Sequence, residues 1–382
     1  MKFIDRLLAL VKQPSGPAVA NPANLIDERV TRVINDALAS AGLQRGDTNT
    51  GGVAGVIDDA LTRAGLRGPT PSTAPHARTA PEPSDSSVPA EAAQGQFIAQ
   101  SYAGATGTLA YKLYLPAGYE ASAASAYPLL VMLHGCTQSP DDFAAGTRMN
   151  ALADQHGVLV AYPAQSANAN GSKCWNWFRP QDQSRGAGEP ALIAGMTEQL
   201  LADAHVDRSR VYVAGLSAGA AMAVVLGRTY PELYAAVGAH SGLPYAAAHD
   251  VGSAFSAMKQ GAQARPGAPG IDTRERVPTI VFHGDRDATV SLANGALIVA
   301  QATGAGPADV MATSQQASTA SGGRGYLRTE YRDASGKVLV EDWLVHGGGH
   351  AWMGGSASGS YTDPQGPDAS AEMLRFFLQH AR

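Results

Sequence analysis

Beyond residue 95, apolar and polar residues form two alternating patterns along the chain. Short continuous apolar runs, such as 128–133, are typical of strands buried in a parallel sheet. Longer segments with apolar residues three or four positions apart indicate helices that cover such a sheet. Their alternation predicts an α/β fold, with a mostly parallel sheet and helices on both faces. The predicted strands are 109–115, 128–133, 158–162, 210–214, 233–239, 278–282, 326–331 and 338–344, and the predicted helices are 141–156, 188–204, 218–229, 291–302 and 368–380.

The N-terminal region has a different pattern. Residues 33–43 and 56–66 match at eight of eleven positions, and each repeat is typical of a short helix ended by a glycine. Residues 1–68 are therefore predicted to form a helical extension, either poorly ordered or used for oligomerisation or surface docking. Residues 69–95 contain six prolines among Ser, Thr and Ala, as a linker does. Residues 96–382 are predicted to form one catalytic domain.

Composition excludes several classes of protein. The 382 residues are 45% hydrophobic and 16% charged, values that exclude collagen-like, coiled-coil and fully disordered chains. A net charge of −5 provides no basic surface for nucleic acid or an anionic membrane. No apolar run approaches the ~18 residues of a membrane helix. Asp5 and Arg6 interrupt the apolar run that a signal peptide would need, so a cytoplasmic location is expected, with an extracellular or periplasmic one as the alternative.

The candidate nucleophile is Ser217. It lies in the sequence GLSAG (215–219), between a predicted strand and a predicted helix. In that context the serine stands on a sharp turn with its hydroxyl above the sheet, and the two glycines let the turn pass close to neighbouring backbone. The alternative is a serine that only caps the helix.

A serine hydroxyl needs a base and an orienting acid, expected in the chain order Ser, Asp, His. Asp287 follows a predicted strand and is preferred over Asp285 as the acid, with a turn or capping role as its alternative. His350 lies on a glycine-rich loop and is preferred as the base, whereas His346 ends a strand and is expected to be structural. The spacing of the two histidines would also suit a metal, but neither an adjacent glutamate nor a third ligand is evident, so no metal is predicted.

A serine nucleophile that attacks a carbonyl carbon also requires N–H donors that stabilise the oxyanion. The amide of Ala218, directly after the nucleophile, is the first candidate. The second comes from the loop after strand 128–133, where the amide of Cys136 is preferred over that of Thr137. His134, at the end of that strand, is expected to be a structural core residue.

Cys136 and Cys174 are the only two cysteines and are 38 positions apart, which excludes a disulfide-rich scaffold or a zinc module. A bond between them would hold the aromatic loop after Cys174 beside the loop 134–138, the oxyanion loop. Two reduced, half-buried thiols are the alternative. Trp175, Trp177 and Trp352 lie in loops that carry or flank these motifs. They are predicted to line an apolar substrate cleft, with ordinary core packing as the alternative.

Five segments together resemble the polyhydroxybutyrate (PHB) depolymerase family of α/β-hydrolase esterases. They are HGCTQ (134–138), YPAQ (162–165), CWNWF (174–178), GLSAG (215–219) and GGGHAW (347–352). The resemblance covers about residues 96–382. It implies the α/β-hydrolase fold and a disulfide between Cys136 and Cys174.

The resemblance also implies a function: hydrolysis of ester bonds in poly(3-hydroxybutyrate) or related short esters, without a cofactor. Feruloyl and acetylxylan esterases have similar catalytic domains and are the main alternative, and an inactive domain that binds polymer or protein is the other. With no export signal or C-terminal binding domain recognised, the chain looks more like intracellular depolymerases. The N-terminal repeat is then a candidate element for docking on polyhydroxyalkanoate granules. Neither a nucleic-acid partner nor a transmembrane segment is expected.

Overall fold

The computed structural model describes residues 95–263, 276–304, 311–318 and 323–382. The predicted helical extension, and the predicted linker up to residue 94, lie outside these residues. The described strands are β1 (Gln96–Gly104), β2 (Gly107–Leu115), β3 (Tyr127–Leu133), β4 (Leu159–Pro163), β5 (Val206–Leu216), β6 (Ala236–His240), β7 (Thr279–Gly284), β8 (Met311–Ser318), β9 (Gly325–Arg332), β10 (Val338–Val345), β11 (Trp352–Met353) and β12 (Thr362–Asp363).

Helices occupy most of the connections between the strands. They are α1 (Pro140–Thr147), α2 (Met149–His156), α3 (Gly188–Asp203), α4 (Ala218–Thr229), α5 (Val251–Gln260), α6 (Ala293–Thr303) and α7 (Ala369–Phe377), with a short 3-10 helix at Pro180–Gln183. None of the described helices is long and apolar enough to cross a membrane.

Ten of the strands form one sheet in the order β1-β2-β4-β3-β5-β6-β7-β10-β9-β8. The six central strands, from β4 to β10, are parallel to one another. Antiparallel strands extend the sheet at its two edges, β2 and β1 beyond β4 and β9 and β8 beyond β10. The prediction of a mostly parallel α/β sheet is confirmed.

The alternating side chains of β3 explain why helices cover both faces of the sheet. Leu129, Val131 and Leu133 pack into one hydrophobic core with residues of α3 and α4. Leu130 and Met132 point the other way and pack with residues of α1, α2 and α7. Because successive side chains of a strand alternate between the faces of a sheet, one continuous apolar run supplies both cores.

The predicted helix 141–156 is wrong in one respect, because the structure divides it into α1 and α2. Arg148 lies between them in a left-handed backbone conformation (φ 56°), which ends α1. Its guanidinium donates a hydrogen bond to the carbonyl of Gly354 (2.8 Å) and forms an ion pair with Asp368 (3.1 Å). These contacts come from the far end of the chain, so the helical periodicity of the segment does not reveal the break.

Six described elements were not predicted: β1, α5, β8, the two-residue strands β11 and β12, and the 3-10 helix. Strand β1 pairs with β2 as a hairpin at the edge of the sheet, where half-exposed residues give no continuous apolar run. Helix α5 begins with a capping box in which Asp250 accepts from the amide of Ser253, but Val251 and Phe255 are exposed on it. Because β1 and α5 bury little apolar surface, they produce only a weak hydrophobic pattern.

The sheet order brings the candidate site residues to one edge. Strands β3, β5, β7 and β10 are parallel, so their carboxyl ends lie on the same side of the sheet. The segments that follow these strands carry Cys136, Ser217, Asp287 and His350 respectively. In parallel α/β sheets, this edge is where ligands bind.

Candidate active site

Ser217 occupies a strained turn between β5 and α4. Its backbone has φ 57° and ψ −118°, an unusual conformation for a residue other than glycine. Its own N–H donates to the carbonyl of His240, 2.9 Å away, which fixes the turn against β6. The Ser217 side chain does not cap α4, so the alternative role considered for it is not observed.

The glycines on either side of Ser217 are required by close packing. A Cβ atom at Gly219 would lie 2.1 Å from the carbonyl oxygen of Leu133 in β3. A Cβ atom at Gly215 would lie 2.4 Å from the carbonyl carbon of Gly219 and 2.7 Å from the same Leu133 oxygen. The turn therefore forms only because both positions lack a side chain.

Asp287 and His350 form a hydrogen-bonded pair. Asp287 Oδ2 lies 2.8 Å from His350 Nδ1, and the carboxylate side chain has no exposed surface while the imidazole is 13% exposed. An ionised carboxylate can only accept a hydrogen bond, so Nδ1 carries the proton. The other ring nitrogen, Nε2, is then free to accept a proton, which is what a general base requires.

The environment of Asp287 keeps its carboxyl ionised. Its Oδ1 atom accepts hydrogen bonds from the amides of Thr289 (2.9 Å) and Val290 (2.8 Å). Burial by itself would raise the pKa of Asp287, but the hydrogen bond and charge of His350 and these two amides lower the pKa to about 2. Asp287 thus carries a negative charge that stabilises a protonated His350.

The rival residues Asp285 and His346 form a second pair nearby. His346 Nδ1 lies 3.1 Å from Asp285 Oδ2, and the two side chains are 43% and 30% exposed. His346 directly follows β10, and the expectation that it is a structural residue of the strand end stays a prediction. Between two aspartate–histidine pairs, the buried one is the better suited to hold an imidazole in one orientation.

His240 connects the nucleophile turn to the loop that carries His350. Its carbonyl accepts from Ser217, and its Nε2 accepts from the amide of Met353 (3.0 Å). The ring is fully buried and stacks between Phe282 and Trp352, 5.7 and 5.2 Å away between centroids. Burial, together with the neighbouring histidines His283 and His350, lowers the pKa of His240 to about 3, so it is neutral.

No direct hydrogen bond joins the Ser217 hydroxyl to His350 among the described residues. Catalytic hydrogen bonds are often long in a free enzyme and shorten when substrate binds. His240 was not among the predicted site residues. Its position at the end of β6, beside the strand that carries Ser217, was the signal that could have identified it.

The amides of Cys136 and Ala218 are the predicted oxyanion donors. Within the described part of the chain, the N–H groups of Cys136 and Ala218 have no hydrogen-bond acceptor. The N–H of Thr137, the alternative donor, is already bonded to the carbonyl of Ser172 at 2.7 Å. This contact favours Cys136 over Thr137 as the second donor.

Cys136 and Cys174 form a disulfide. The expected disulfide is therefore present, and it attaches the aromatic loop to the oxyanion loop. His134 is buried as expected: its Nδ1 donates to the Gly135 carbonyl (2.7 Å) and its Nε2 accepts from the Gln165 amide (3.1 Å).

The three tryptophans predicted to line a substrate cleft are buried instead. Trp175, Trp352 and Trp177 are 0%, 1% and 6% exposed, and all belong to the hydrophobic cores. The indole N–H of Trp175 donates to the His134 carbonyl (3.1 Å), and that of Trp352 donates to the hydroxyl of Ser370 (3.0 Å). The prediction that Trp175 and Trp352 contact substrate is wrong, because their surfaces are already covered by protein.

Tyr361 is an exposed aromatic residue near the candidate site that was not predicted from the sequence. It is 47% exposed, and its hydroxyl lies 3.2 Å from Thr137 Oγ1, next to the oxyanion loop. Its carbonyl accepts from the amide of Trp352, two positions after His350. Both Tyr361 and Thr137 have positive φ angles, 52° and 67°. Strained residues of this kind concentrate at functional sites.

The strand–turn–helix at Ser217, with Asp287 after β7 and His350 after β10, has the topology of the α/β-hydrolase fold. The fold is also that of an acetyl xylan esterase from Aspergillus awamori: TM-score 0.57, 20% identity, covering 75% of this chain and all of that one. A family model described as esterase PHB depolymerase matches residues 109–318. The chain belongs to this family.

Curated relatives include depolymerases and other esterases. A poly(3-hydroxyalkanoate) depolymerase C from Paucimonas lemoignei is 36% identical, over 64% of this chain and 58% of the relative. A poly(3-hydroxybutyrate) depolymerase from Ralstonia pickettii is 30% identical, over 65% and 53%. A feruloyl esterase B from Neurospora crassa is 39% identical over 31% and 40%. The chain spans about half the length of the curated relatives it matches.

We expect Gly219→Ala to destabilise the protein by about 3 kcal/mol, because the new Cβ would overlap the Leu133 carbonyl. Denaturant unfolding followed by circular dichroism would measure the change. Gly171→Ala is the matched control, since a Cβ there meets no atom within 4 Å. Equal loss of stability in the two variants would contradict the close-packing argument.

We expect Asp287→Asn to lower kcat by about 10⁴-fold, because an amide donor facing Nδ1 would favour the tautomer whose Nε2 cannot accept a proton. Asp285→Asn, which alters the exposed pair, is expected to change kcat by less than about tenfold. Steady-state hydrolysis of a soluble ester measures both. A larger loss in the Asp285 variant would assign the acid to the other pair.

Proposed function

We propose that this protein is a serine esterase that hydrolyses the ester bonds of poly(3-hydroxybutyrate) or its oligomers through an acyl-enzyme intermediate. The observation that carries the proposal is the buried Asp287–His350 pair, which follows strands at the same sheet edge as Ser217. The proposed catalytic residues are Ser217, Asp287 and His350, and the proposed oxyanion donors are the amides of Cys136 and Ala218.

The proposed reaction begins with proton transfer. Nε2 of His350 removes the hydroxyl proton of Ser217 as the serine oxygen attacks the ester carbonyl carbon. The carbonyl oxygen becomes an oxyanion that accepts hydrogen bonds from the amides of Cys136 and Ala218. Asp287 stabilises the imidazolium formed on His350.

The tetrahedral intermediate then collapses. The bond between the carbonyl carbon and the alcohol oxygen breaks, and the imidazolium of His350 donates its proton to the departing alcohol. Water attacks the acyl group on Ser217 while His350 accepts a proton from it. The carboxylic acid leaves, and the proton returns to Ser217. These steps consume one water per ester bond and require no cofactor.

The named activities of the relatives support an ester substrate but differ in its chemistry. Two relatives are named as depolymerases of polyhydroxyalkanoates, which favours an aliphatic polyester. A feruloyl esterase is 39% identical over a shorter segment, so a carbohydrate-linked ester is the second candidate. The exposed ring of Tyr361 next to the oxyanion loop offers an apolar contact for either substrate.

The proposal also includes the compartment in which the protein acts and its association with the surface of polyhydroxyalkanoate granules. The proposed location is the cytoplasm, with an extracellular or periplasmic location as the alternative. The disulfide between Cys136 and Cys174 is more typical of an oxidising compartment and favours the extracellular or periplasmic alternative. Cell fractionation would decide between the two.

We expect Ser217→Ala to reduce kcat by several orders of magnitude and to abolish labelling by a fluorophosphonate, with an unchanged unfolding midpoint. Wild-type activity on polymer film, hydroxybutyrate oligomers and methyl ferulate would identify the substrate class. Hydrolysis of film and oligomers in preference to methyl ferulate is the expected result. A wild type that is not labelled and turns over none of these esters would support the inactive binding domain instead.

We expect deletion of residues 1–95 to reduce hydrolysis of solid polymer while leaving hydrolysis of soluble esters unchanged. The reason is that the repeat in residues 33–66 is the candidate for docking on the polymer surface. Activity on soluble ester also serves as the control for folding of the shortened chain. Equal loss on both substrates would contradict a docking role.

A further inference from the structure

Glu189, in the first turn of α3, is a buried carboxylate that the proposed reaction does not use. It is 9% exposed. Its Oε2 accepts a hydrogen bond from the backbone amide of Asn176 (2.7 Å). Its Oε1 accepts from the side-chain amides of Asn176 and Gln165, both at 2.5 Å. All three donors are neutral, and burying a carboxylate without a cation is unfavourable, so its presence calls for a reason.

The donors to Glu189 lie at the two ends of one segment, from Gln165 to Asn176. Gln165 also donates from its side chain to the carbonyl of Cys174 (2.9 Å) and from its backbone to the ring of His134 (3.1 Å). Glu189 thus holds together the strand end at His134 and both ends of the segment. Hydrogen-bond networks of this kind fix the position of the backbone they connect.

The same segment supports the oxyanion loop directly. The carbonyl of Ser172 accepts from the amide of Thr137 at 2.7 Å. The indole N–H of Trp175 donates to the carbonyl of His134 at 3.1 Å. Cys174 is bonded to Cys136 itself. Any shift of the segment would therefore move the Cys136 amide.

We propose that Glu189 is a positioning residue for the oxyanion hole: its carboxylate holds the segment from Gln165 to Asn176 where it aims the Cys136 amide at the reacting carbonyl. This inference rests on the proposed esterase function. Glu189 acts through Asn176 and Gln165 and does not touch the substrate.

The surroundings of Glu189 make this support sensitive to pH. Burial and the charge of Asp182 raise the pKa of Glu189 to about 7, in spite of its hydrogen bonds. Asp182, on the 3-10 helix, accepts a hydrogen bond from the backbone amide of Glu189 at 2.7 Å. Burial raises the pKa of Asp182, and the positive charge of Arg179 opposes that rise. His134, at the end of β3, is the other titratable group of the network. Burial and the charge of Lys173 lower the pKa of its imidazole, so His134 is neutral.

Protonation of Glu189 would disturb the network in a defined way. A carboxylic acid has one O–H donor, whereas all three neighbours of Glu189 are themselves donors. At least one hydrogen bond must weaken when the proton binds. We therefore expect this network to hold the oxyanion loop firmly when the pH is above about 7. At lower pH we expect the loop to be held less firmly.

The test compares Glu189→Gln with the wild type on p-nitrophenyl butyrate over a range of pH. A glutamine resembles the protonated acid at every pH, so the ratio of wild-type to variant kcat isolates the charge of Glu189. Effects of pH that are common to both proteins cancel in the ratio. We expect a ratio of about tenfold in the alkaline range that falls towards one in the acid range, with KM little changed, since full loss of an oxyanion donor costs about a hundredfold or more.

Three further variants serve as controls for this comparison. Glu198→Gln, at an exposed position on the same helix, is expected to leave kcat unchanged. Glu189→Asp restores the charge and is expected to recover part of the alkaline activity. If the glutamine variant does not fold, Gln165→Met removes the donor shared by Glu189 and Cys174 and should lower kcat without raising KM.

Two results would overturn the inference. One is a ratio of wild-type to Glu189→Gln activity that does not vary with pH, and the other is an unchanged kcat in Gln165→Met. In either case a wild type that is active and labelled at Ser217 would leave the esterase proposal intact. A wild type that neither hydrolyses the ester nor is labelled would instead refute the proposed function itself.

Discussion

The active-site edge depends on one close contact, between the start of α4 and the end of β3. The backbone of Gly219 approaches the carbonyl of Leu133 so closely that no Cβ fits between them. This contact fixes the turn that places Ser217 in its strained conformation, at a cost of about 1–3 kcal/mol offset by the buried packing of β5 and α4. Because β3 leads directly into the loop of Cys136, the same contact sets the nucleophile and both proposed oxyanion donors relative to each other.

Two buried carboxylates near this edge show how their donors determine their charge. Asp287 accepts from His350, which can become a cation, and from two backbone amides, and its pKa is lowered to about 2 despite burial. Glu189 also accepts three hydrogen bonds, but its donors are amides and its charged neighbour is Asp182, so burial raises its pKa to about 7. The first is therefore ionised at neutral pH. The second changes its charge near pH 7.

Residues adjacent in the chain could be assigned from sequence, and those defined by distant contacts could not. The motif around Ser217 specifies its own turn, because two glycines and the strand–helix context lie within a few residues. The choice of Asp287 over Asp285 rested on position alone, whereas the structure separates them by burial: 0% against 30% exposure of their side chains. The tryptophans were misjudged because a loop aromatic is buried or exposed according to partners such as Ser370, far away in the sequence.

The oxyanion loop is supported in more than one way, which bears on its dependence on the disulfide. Closing a 38-residue interval between Cys136 and Cys174 stabilises the fold by about 4 kcal/mol in the chain-entropy account. The loop is also held by the Ser172 carbonyl, by the indole of Trp175 and by the network of Glu189. These contacts need no oxidised sulfur. Reduction would therefore lower the stability of the whole domain more than it would alter the local geometry of the Cys136 amide.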